Sequence, residues 1–511
     1  MRTAFVALVA ALLVGCSAYH LPPNSSLSES DFRAHVLMFD ARGEPRDPLT
    51  EAHGTNAYLR AEHTPKHAFA VSSYDDYMQH ILDGIEAHRA KQPDKRVKVL
   101  LFFHGGLNTR KQAMERAERE IQLMRRPESE GGRPDVYPIF IAWQSSLSAS
   151  YRNHLLFVTK GQDTYTIGAL LAPFKLANDI IRFVLELAPD NGLQAVDYWR
   201  RQSYKREGIV QAENCPVENL DFREGTRLPR TFWGDRKDHL AAFTTYLLGK
   251  WWTTGVIDAG GKPAWSSMLY TIDRLFYSDQ EMHHQYRFKT RDAAGAGDFS
   301  EFLRRLSKCL YKGQDEVILV GHSAGAIVAN AIVGNFGDRL PITKLVYLAP
   351  ACTIDELMNG GRIADFLTAD KRRQLYILTL HEIAEFSEKS LFDFTPRGTL
   401  LIWLDEFIQP KNSEFRGHMM GRAKNLRLHA HLIPCDVQRQ VHITAFSERP
   451  TAPPVFHPQS HSDVGRIEYW REELWRPDDP QLKKVCVTDD PQKLFDPETA
   501  SGDEVPRCTV K

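Results

Sequence analysis

The stretch Asp315–Gly334, DEVILVGHSAGAIVANAIVG, decides how the rest of the chain is read. Glu316 to Val320 is an apolar, largely β-branched run bounded by polar residues and predicts a buried strand. Ala324 to Val333 is rich in Ala, Ile and Val without Pro and predicts a helix. At the junction, Gly321-His322-Ser323-Ala324-Gly325 follows the pattern G-x-S-x-G. In such a turn the serine is held at a strained backbone angle with Oγ pointing out of the sheet. Side chains two residues away on either side would collide with the neighbouring strand and helix, so glycine is needed at both places. The following helix aims its free N–H groups and the positive end of its dipole at the serine.

Working outward, Val97 to Asn108 reads VKVLLFFHGGLN. Val99 to Phe103 is continuously apolar, as central parallel strands buried on both faces are, and it ends in His104-Gly105-Gly106. Thr109 to Met124 predicts a helix and Val136 to Trp143 the next strand. Upstream, His35–Phe39, Ala57–Arg60 and Ala68–Val71 read as short strands and Tyr74–Ala90 as a helix. Phe299–Tyr311 predicts the helix before the Ser323 strand, and Lys344–Leu348, Gln374–Leu380 and His442–Phe446 predict strands after it. Strands alternating with helices place the chain in the α/β class with a mostly parallel sheet.

From Gln144 to Asp298 this alternation breaks, leaving a long and mainly helical insertion. Thr166–Ala188 is its most apolar part, but Lys175, Asp179, Arg182 and Glu186 recur at i,i+3 and i,i+4 spacing and draw a charged stripe down one face. An amphipathic cap helix is expected, with a helix lying on a lipid surface as the alternative. The aromatics Trp233, Tyr246, Trp251, Trp252, Trp265, Tyr270, Phe276 and Tyr277 suit a cap that lines a pocket or packs its own interior. Arg291–Asp298, RDAAGAGD, reads as the linker back.

Taken in chain order, the His104-Gly105-Gly106 loop and the Gly321–Gly325 turn resemble the α/β-hydrolase superfamily on its esterase and lipase side, over roughly residues 95–143 and 312–475. The resemblance implies an α/β-hydrolase core of mostly parallel sheet flanked by helices, carrying a large helical cap. It implies Ser323 as nucleophile, with oxyanion donors from the backbone of Gly105 or Gly106 and of Ala324. The family's acid follows the strand two after the elbow, here at His381–Glu385, which selects Glu382; Glu385, Asp393 and Asp405 are the alternatives. Its histidine sits in the loop after the last strand, which selects His461 over His457, and over His442 inside the strand, where a packed histidine is expected. The chemistry needs all three: serine is a poor nucleophile until a neutral imidazole takes its proton, and a carboxylate must hold that imidazole in one tautomer. The size of the insertion and a Glu acid depart from the family pattern. No cofactor is implied, and no His/Cys cluster has metal-ligand spacing.

Residues 1–16 read as a leader: Arg2, an apolar run Ala4–Val14 too short to span a bilayer, then Leu13-Val14-Gly15-Cys16. That tetrapeptide resembles the lipobox of bacterial lipoproteins, which implies lipidation of Cys16, and Ser17 beside it implies the outer membrane. Residues 17–32 read as a flexible tether, 33–143 and 299–475 as the two parts of the core, 144–298 as the cap and 476–511 as a polar extension. Six cysteines remain after Cys16, an even number that permits disulfides in an exported chain, with Cys486 and Cys508 a plausible pair. The 64 basic and 65 acidic residues nearly balance, and no Lys/Arg block suits nucleic acid. The expectation is an exported, membrane-anchored serine hydrolase acting on a small or lipid-like ester, with acyl length and oligomeric state open. The competing class is an inactive hydrolase scaffold that serves as an envelope binding protein.

Overall fold

Apolar runs with no room for water on either side become strands, and the periodic segments between them become helices. The computed structural model describes residues 19–49, 74–106, 108–156, 158–159, 162–163, 170–179, 181, 220–225, 260–278, 281–282, 295–381, 384–385, 399–408, 418–446, 458, 460–477 and 482–484. In chain order its main strands are β1 (Val36–Phe39), β2 (Pro45–Arg46), β3 (Lys98–Phe103), β4 (Val136–Trp143), β5 (Asp221–Gly225), β6 (Glu316–His322), β7 (Ile342–Leu348), β8 (Gln374–Leu380), β9 (Val441–Phe446) and β10 (Leu482–Lys484). The helices used below are α1 (Glu29–Arg33), α2 (Tyr74–Lys91), α3 (Arg110–Met124), α4 (Leu147–Leu156), α5 (Lys262–Phe276), α6 (Asp298–Cys309), α7 (Gly325–Phe336), α8 (Arg362–Ala369), α9 (Leu400–Trp403), α10 (Ala423–His429) and α11 (His461–Val464). The protein is mixed α/β with mostly parallel strands and flanking helices. It divides into two units, residues 1–177 with 261–344 and residues 178–260 with 345–511, and the boundary falls inside β7.

In the first unit the strand order is β6-β3-β4-β1-β2. β3 runs parallel to β6 and β4, β1 runs parallel to β4, and β2 is antiparallel to β1. Phe103 lies opposite Gly321 on one side and Ile141 on the other, so the loops leaving β3, β4 and β6 emerge at one carboxyl edge. That edge is where open α/β sheets place their sites. The entrance of the same strands is stapled by one carboxylate: Asp315 accepts the Val97 amide at 3.0 Å and the Tyr311 amide at 2.7 Å, and meets buried Arg89 of α2 at 2.7 Å. Phe299, in the first turn of α6, packs its ring on Phe39, Phe103 and Phe276 and closes the core below the site. α3 starts at a reciprocal cap between Thr109 and Gln112, the pattern that fixes a helix start one residue after the predicted one.

In the second unit the order is β10-β5-β9-β8-β7. β9 is parallel to β8 and β5, and β10 is antiparallel to β5.

Several expectations are corrected. The segment read as a tether is packed from Tyr19 onward: Tyr19 is buried, bonds Glu118 at 3.0 Å and packs on Phe32 of α1. The insertion is not solely a helical cap, because β5 joins the strands and α5 crosses the carboxyl edge of the first unit. A Cβ on Gly106 would meet Met268 Sδ of α5 at 2.9 Å, and one on Gly43, just after β1, would meet the Arg274 carbonyl of α5 at 2.4 Å. β5, DFREG, has no apolar alternation; it is a strand because β9 offers it a partner, with Asp221 held by His442 at 3.1 Å and by Arg476 at 2.8 Å. The polar extension contributes β10, and a short 3₁₀ turn forms ahead of it at Glu472–Leu474. The helix over 170–179 also turns its charges the other way: Asp179 is buried and Lys175 donates to the His154 carbonyl at 3.2 Å. Ala57–Arg60, Ala68–Val71, Trp233, Tyr246, Trp251, Trp252, and the Cys486 and Cys508 pair lie outside the described residues. Cys435 is disulfide-bonded, while Cys309 and Cys352 are in the thiol form. Among the described residues, no helix is long and apolar enough to cross a membrane.

Candidate active site

The site is built from the β6–α7 turn. Ser323 is buried, with φ of 51°, in the left-handed region that a residue with a side chain seldom occupies. The two glycines around it are there because nothing else fits. A Cβ on Gly321 would stand 2.7 Å from the Cα and N of Ala326, and one on Gly325 would stand 2.2 Å from the Phe103 carbonyl oxygen of β3. Strand, turn and helix therefore close tightly enough to force Ser323 outward from both. α7 makes its first hydrogen bonds from Ala326 to Ser323 and from Ile327 to Ala324, which leaves the amides of Ala324 and Gly325 ahead of the helical ladder. Ser323 Oγ is buried and has no hydrogen-bond partner among the described residues.

The His104-Gly105-Gly106 loop lies against this turn. The position of a Cβ on Gly105 is 3.1 Å from Ser323 Cβ, and that on Gly106 is 3.3 Å from Ala324 Cβ. The peptide between the two glycines is held in one orientation. Its carbonyl, on Gly105, accepts from Ser145 Oγ at 3.1 Å and from Asn108 Nδ2 at 3.2 Å, and it meets His104 Nδ1 at 2.9 Å. His104 Nε2 is the acceptor for the Trp143 amide at 3.1 Å, so the ring proton is on Nδ1, which donates to Gly105. The ring stacks on the Trp143 indole at 4.4 Å, and burial pushes its pKa down to about 4, so it is neutral at pH 7. Carbonyl and N–H of a trans peptide point in opposite directions. Three contacts on the Gly105 carbonyl therefore turn the Gly106 N–H away from His104. The sequence alone assigns no task to His104, and nothing in it points to Ser145 or Asn108. The one available signal was the histidine ahead of the two glycines.

His322, inside the turn, is buried with Nδ1 2.9 Å from the Cβ position of Gly105, a packing place that keeps the glycine small.

The second unit holds the other predicted groups. His461 is buried as the first residue of α11, behind a Ser460 cap that accepts from the Asp463 amide, and burial pushes its pKa down to about 4. Glu382, Asp393 and His457 lie outside the described residues, as does Cys16. Glu385 follows the exit of β8, is fully buried, and accepts from the Thr399 hydroxyl. Asp405 is committed elsewhere: Oδ2 meets Arg422 at 2.6 Å, and Oδ1 accepts the Met419 amide at 3.0 Å and meets His418 at 3.3 Å. Burial alone would raise its pKa, but the Arg422 charge and these bonds hold it well below the usual carboxylate range. His442 is likewise packed, between Asp221 at 3.1 Å and Gln374 at 2.7 Å and stacked on Tyr376. The structure thus brings Ser323, Gly105, Gly106 and Ala324 together in one unit, with His461 and Glu385 in the other. Among the described residues, no group of three or more His, Cys, Asp or Glu is arranged to hold a metal ion.

No protein-family model, curated protein or solved structure matches the chain.

Proposed function

We propose that this chain is a serine hydrolase that cleaves carboxylic esters through an acyl-enzyme, exported and held at the membrane by a lipid on Cys16. The observation that carries the reading is Ser323 at positive φ between two sterically required glycines, beside a loop whose Gly106 amide is fixed by three contacts to the preceding carbonyl. Ser323 Oγ attacks the ester carbonyl carbon as His461 takes its proton. The tetrahedral oxyanion is held by the amides of Gly106 and Ala324, which are oriented before substrate arrives. Collapse breaks the bond to the alkoxy oxygen, and His461 returns the proton to that oxygen. Water, deprotonated by His461, then releases the acid from Ser323. Glu382, at the exit of β8, is the proposed orienting carboxylate, with Glu385 the buried alternative. The core needs no cofactor for this chemistry. The disulfide at Cys435 supports export, since such bonds persist in oxidising compartments.

A second reading, an inactive scaffold that binds at the envelope, is favoured by one observation: Ser323 Oγ has no hydrogen-bonded base among the described residues. Hydrolysis of p-nitrophenyl esters from short to long acyl, by the wild type and Ser323→Ala, separates the two. Turnover lost in the variant supports the hydrolase, and no turnover at any length supports the scaffold.

A further inference from the structure

α5 meets the candidate site through Met268. The Cβ position of Gly106 lies 2.9 Å from Met268 Sδ, 3.3 Å from Met268 Cε and 3.3 Å from Ala324 Cβ, so the thioether, the Gly106 backbone and the Ala324 methyl converge on one point. Met268 is 4% exposed and Ser323 2%, and Ser323 Oγ is itself buried. Behind Met268 the helix is pinned. Its Phe276 carbonyl accepts from the Gly297 amide at 3.0 Å and from Ser300 Oγ at 2.9 Å, and its Arg274 carbonyl would stand 2.4 Å from a Cβ on Gly43. The Phe276 ring packs on Phe299. The Met268 side chain, by contrast, turns about three rotatable bonds. Room for a substrate beside Gly106 therefore comes from that side chain rather than from the helix.

From this geometry we infer that Met268 sets the length of acyl chain the site accepts, and that the ester it cleaves carries a short acyl group. The inference rests on the hydrolase reading above and names the substrate class of that same site. In the acyl-enzyme the carbonyl carbon is bonded to Ser323 Oγ and its oxygen lies at the Gly106 and Ala324 amides. Once the alkoxy group has left, the remaining substituent is the acyl chain. The alkoxy oxygen turns towards the histidine that protonates it, which leaves the wall beside the oxyanion donors to the acyl chain. Its first carbons meet the Met268 thioether. A short acyl group needs only small torsional shifts of Met268, whereas a long one must displace a buried side chain packed on Gly106.

The test is the kcat/KM profile of the full chain on p-nitrophenyl esters from acetate to dodecanoate, beside Met268→Ala, Met268→Val and Met268→Leu. The wild type is expected to favour acetate or butyrate over octanoate by about tenfold or more. Met268→Ala should raise the octanoate-to-acetate ratio by about tenfold or more and Met268→Val by less, while Met268→Leu, which keeps the volume, should hold the ratio within about threefold of the wild type. The ratio is internal to each preparation, so a partly unfolded variant still reports it, and Met268→Val serves if Met268→Ala does not fold. A wild type fastest on octanoate or a longer ester overturns the inference, as does an unchanged ratio in folded Met268→Ala or Met268→Val. Ser323→Ala, assayed in parallel, keeps the two failures apart. Turnover that depends on Ser323 with a profile unmoved at Met268 fails the inference alone; no Ser323-dependent turnover on any ester fails the hydrolase reading and the inference with it.

Discussion

The Trp143 amide donates to Nε2 of His104 at 3.1 Å, and through that bond the last residue of β4 sets the proton position in the loop that follows β3. With Nε2 occupied as an acceptor, Nδ1 must carry the proton, and it points at the Gly105 carbonyl at 2.9 Å. The peptide beside Ser323 is oriented by a chain of contacts that begins on a neighbouring strand.

Loosening that chain is expected to slow chemistry more than binding. Removing one oxyanion donor outright costs about 10² to 10³ in turnover, and a positioning residue acts through that donor, so Ser145→Ala and His104→Ala should lower kcat by roughly tenfold to a hundredfold with KM nearly unchanged. Steady-state kinetics on a p-nitrophenyl ester reads the split. A rise in KM with kcat unchanged would assign these residues to substrate binding instead.

The strain at Ser323 predicts opposite effects from two neighbouring substitutions. Ser323→Gly removes a side chain held at φ of 51° and should raise stability by about 1 kcal/mol while abolishing turnover. Gly325→Ala places a Cβ 2.2 Å from the Phe103 carbonyl and should cost about 2 to 3 kcal/mol. Urea midpoints of the two variants beside the wild type check both signs.

Acid should weaken the fold before its carboxylates are neutralised. Burial holds His104 down to a pKa of about 4 and His35 to about 3; His35 Nδ1 sits 2.6 Å from the Pro138 carbonyl, and Nε2 accepts from Arg125. As pH falls through about 6.5 the unfolded chain takes up protons at these histidines and the folded one does not. Their contribution is complete above pH 6.5 and is lost between there and about 4 for His104, at about 3 kcal/mol, and down to about 3 for His35. Urea unfolding from pH 7 to pH 4 should show a falling midpoint across that window, and a flat profile would contradict it. His461, also held to about 4, stays neutral and able to accept a proton below pH 6.5, so the acid limb of kcat/KM should lie below the usual histidine range.

The carboxylates separate by what their loss damages. Asp405→Ala leaves fully buried Arg422 without its partner and should cost about 3 to 5 kcal/mol, with turnover of the folded fraction retained. Glu382→Gln should lower kcat about a thousandfold or more with little change in thermal midpoint. If Glu385→Gln produces that loss instead, the orienting role passes to Glu385.

What could be read without coordinates follows from the range of the interactions. β3, β4, β6 and β8 are strands because their own residues are mostly apolar, and their limits agree with the sequence to within two residues. The Gly-Ser-Gly turn was legible because its steric demand falls on the residues themselves. β5 was not: Asp221, Arg223 and Glu224 are polar, and they form a strand only because β9 lies alongside. Nor was the lock on Gly105, whose holders His104 and Ser145 stand 41 positions apart, nor the placement of α5 over Gly106. The packed state of residues 19–33 was hidden for the same reason, since Ser- and Pro-rich composition says nothing of the Glu118 carboxylate waiting for Tyr19.

The central claim is that Ser323 is an activated nucleophile, and a fluorophosphonate probe tests it most directly. The account predicts one covalent adduct per chain, mapped to Ser323, lost in Ser323→Ala and slowed about a hundredfold or more in His461→Ala, both variants retaining the wild-type circular dichroism. A folded wild type that forms no adduct at Ser323, or one that labels at the same rate without His461, would contradict it.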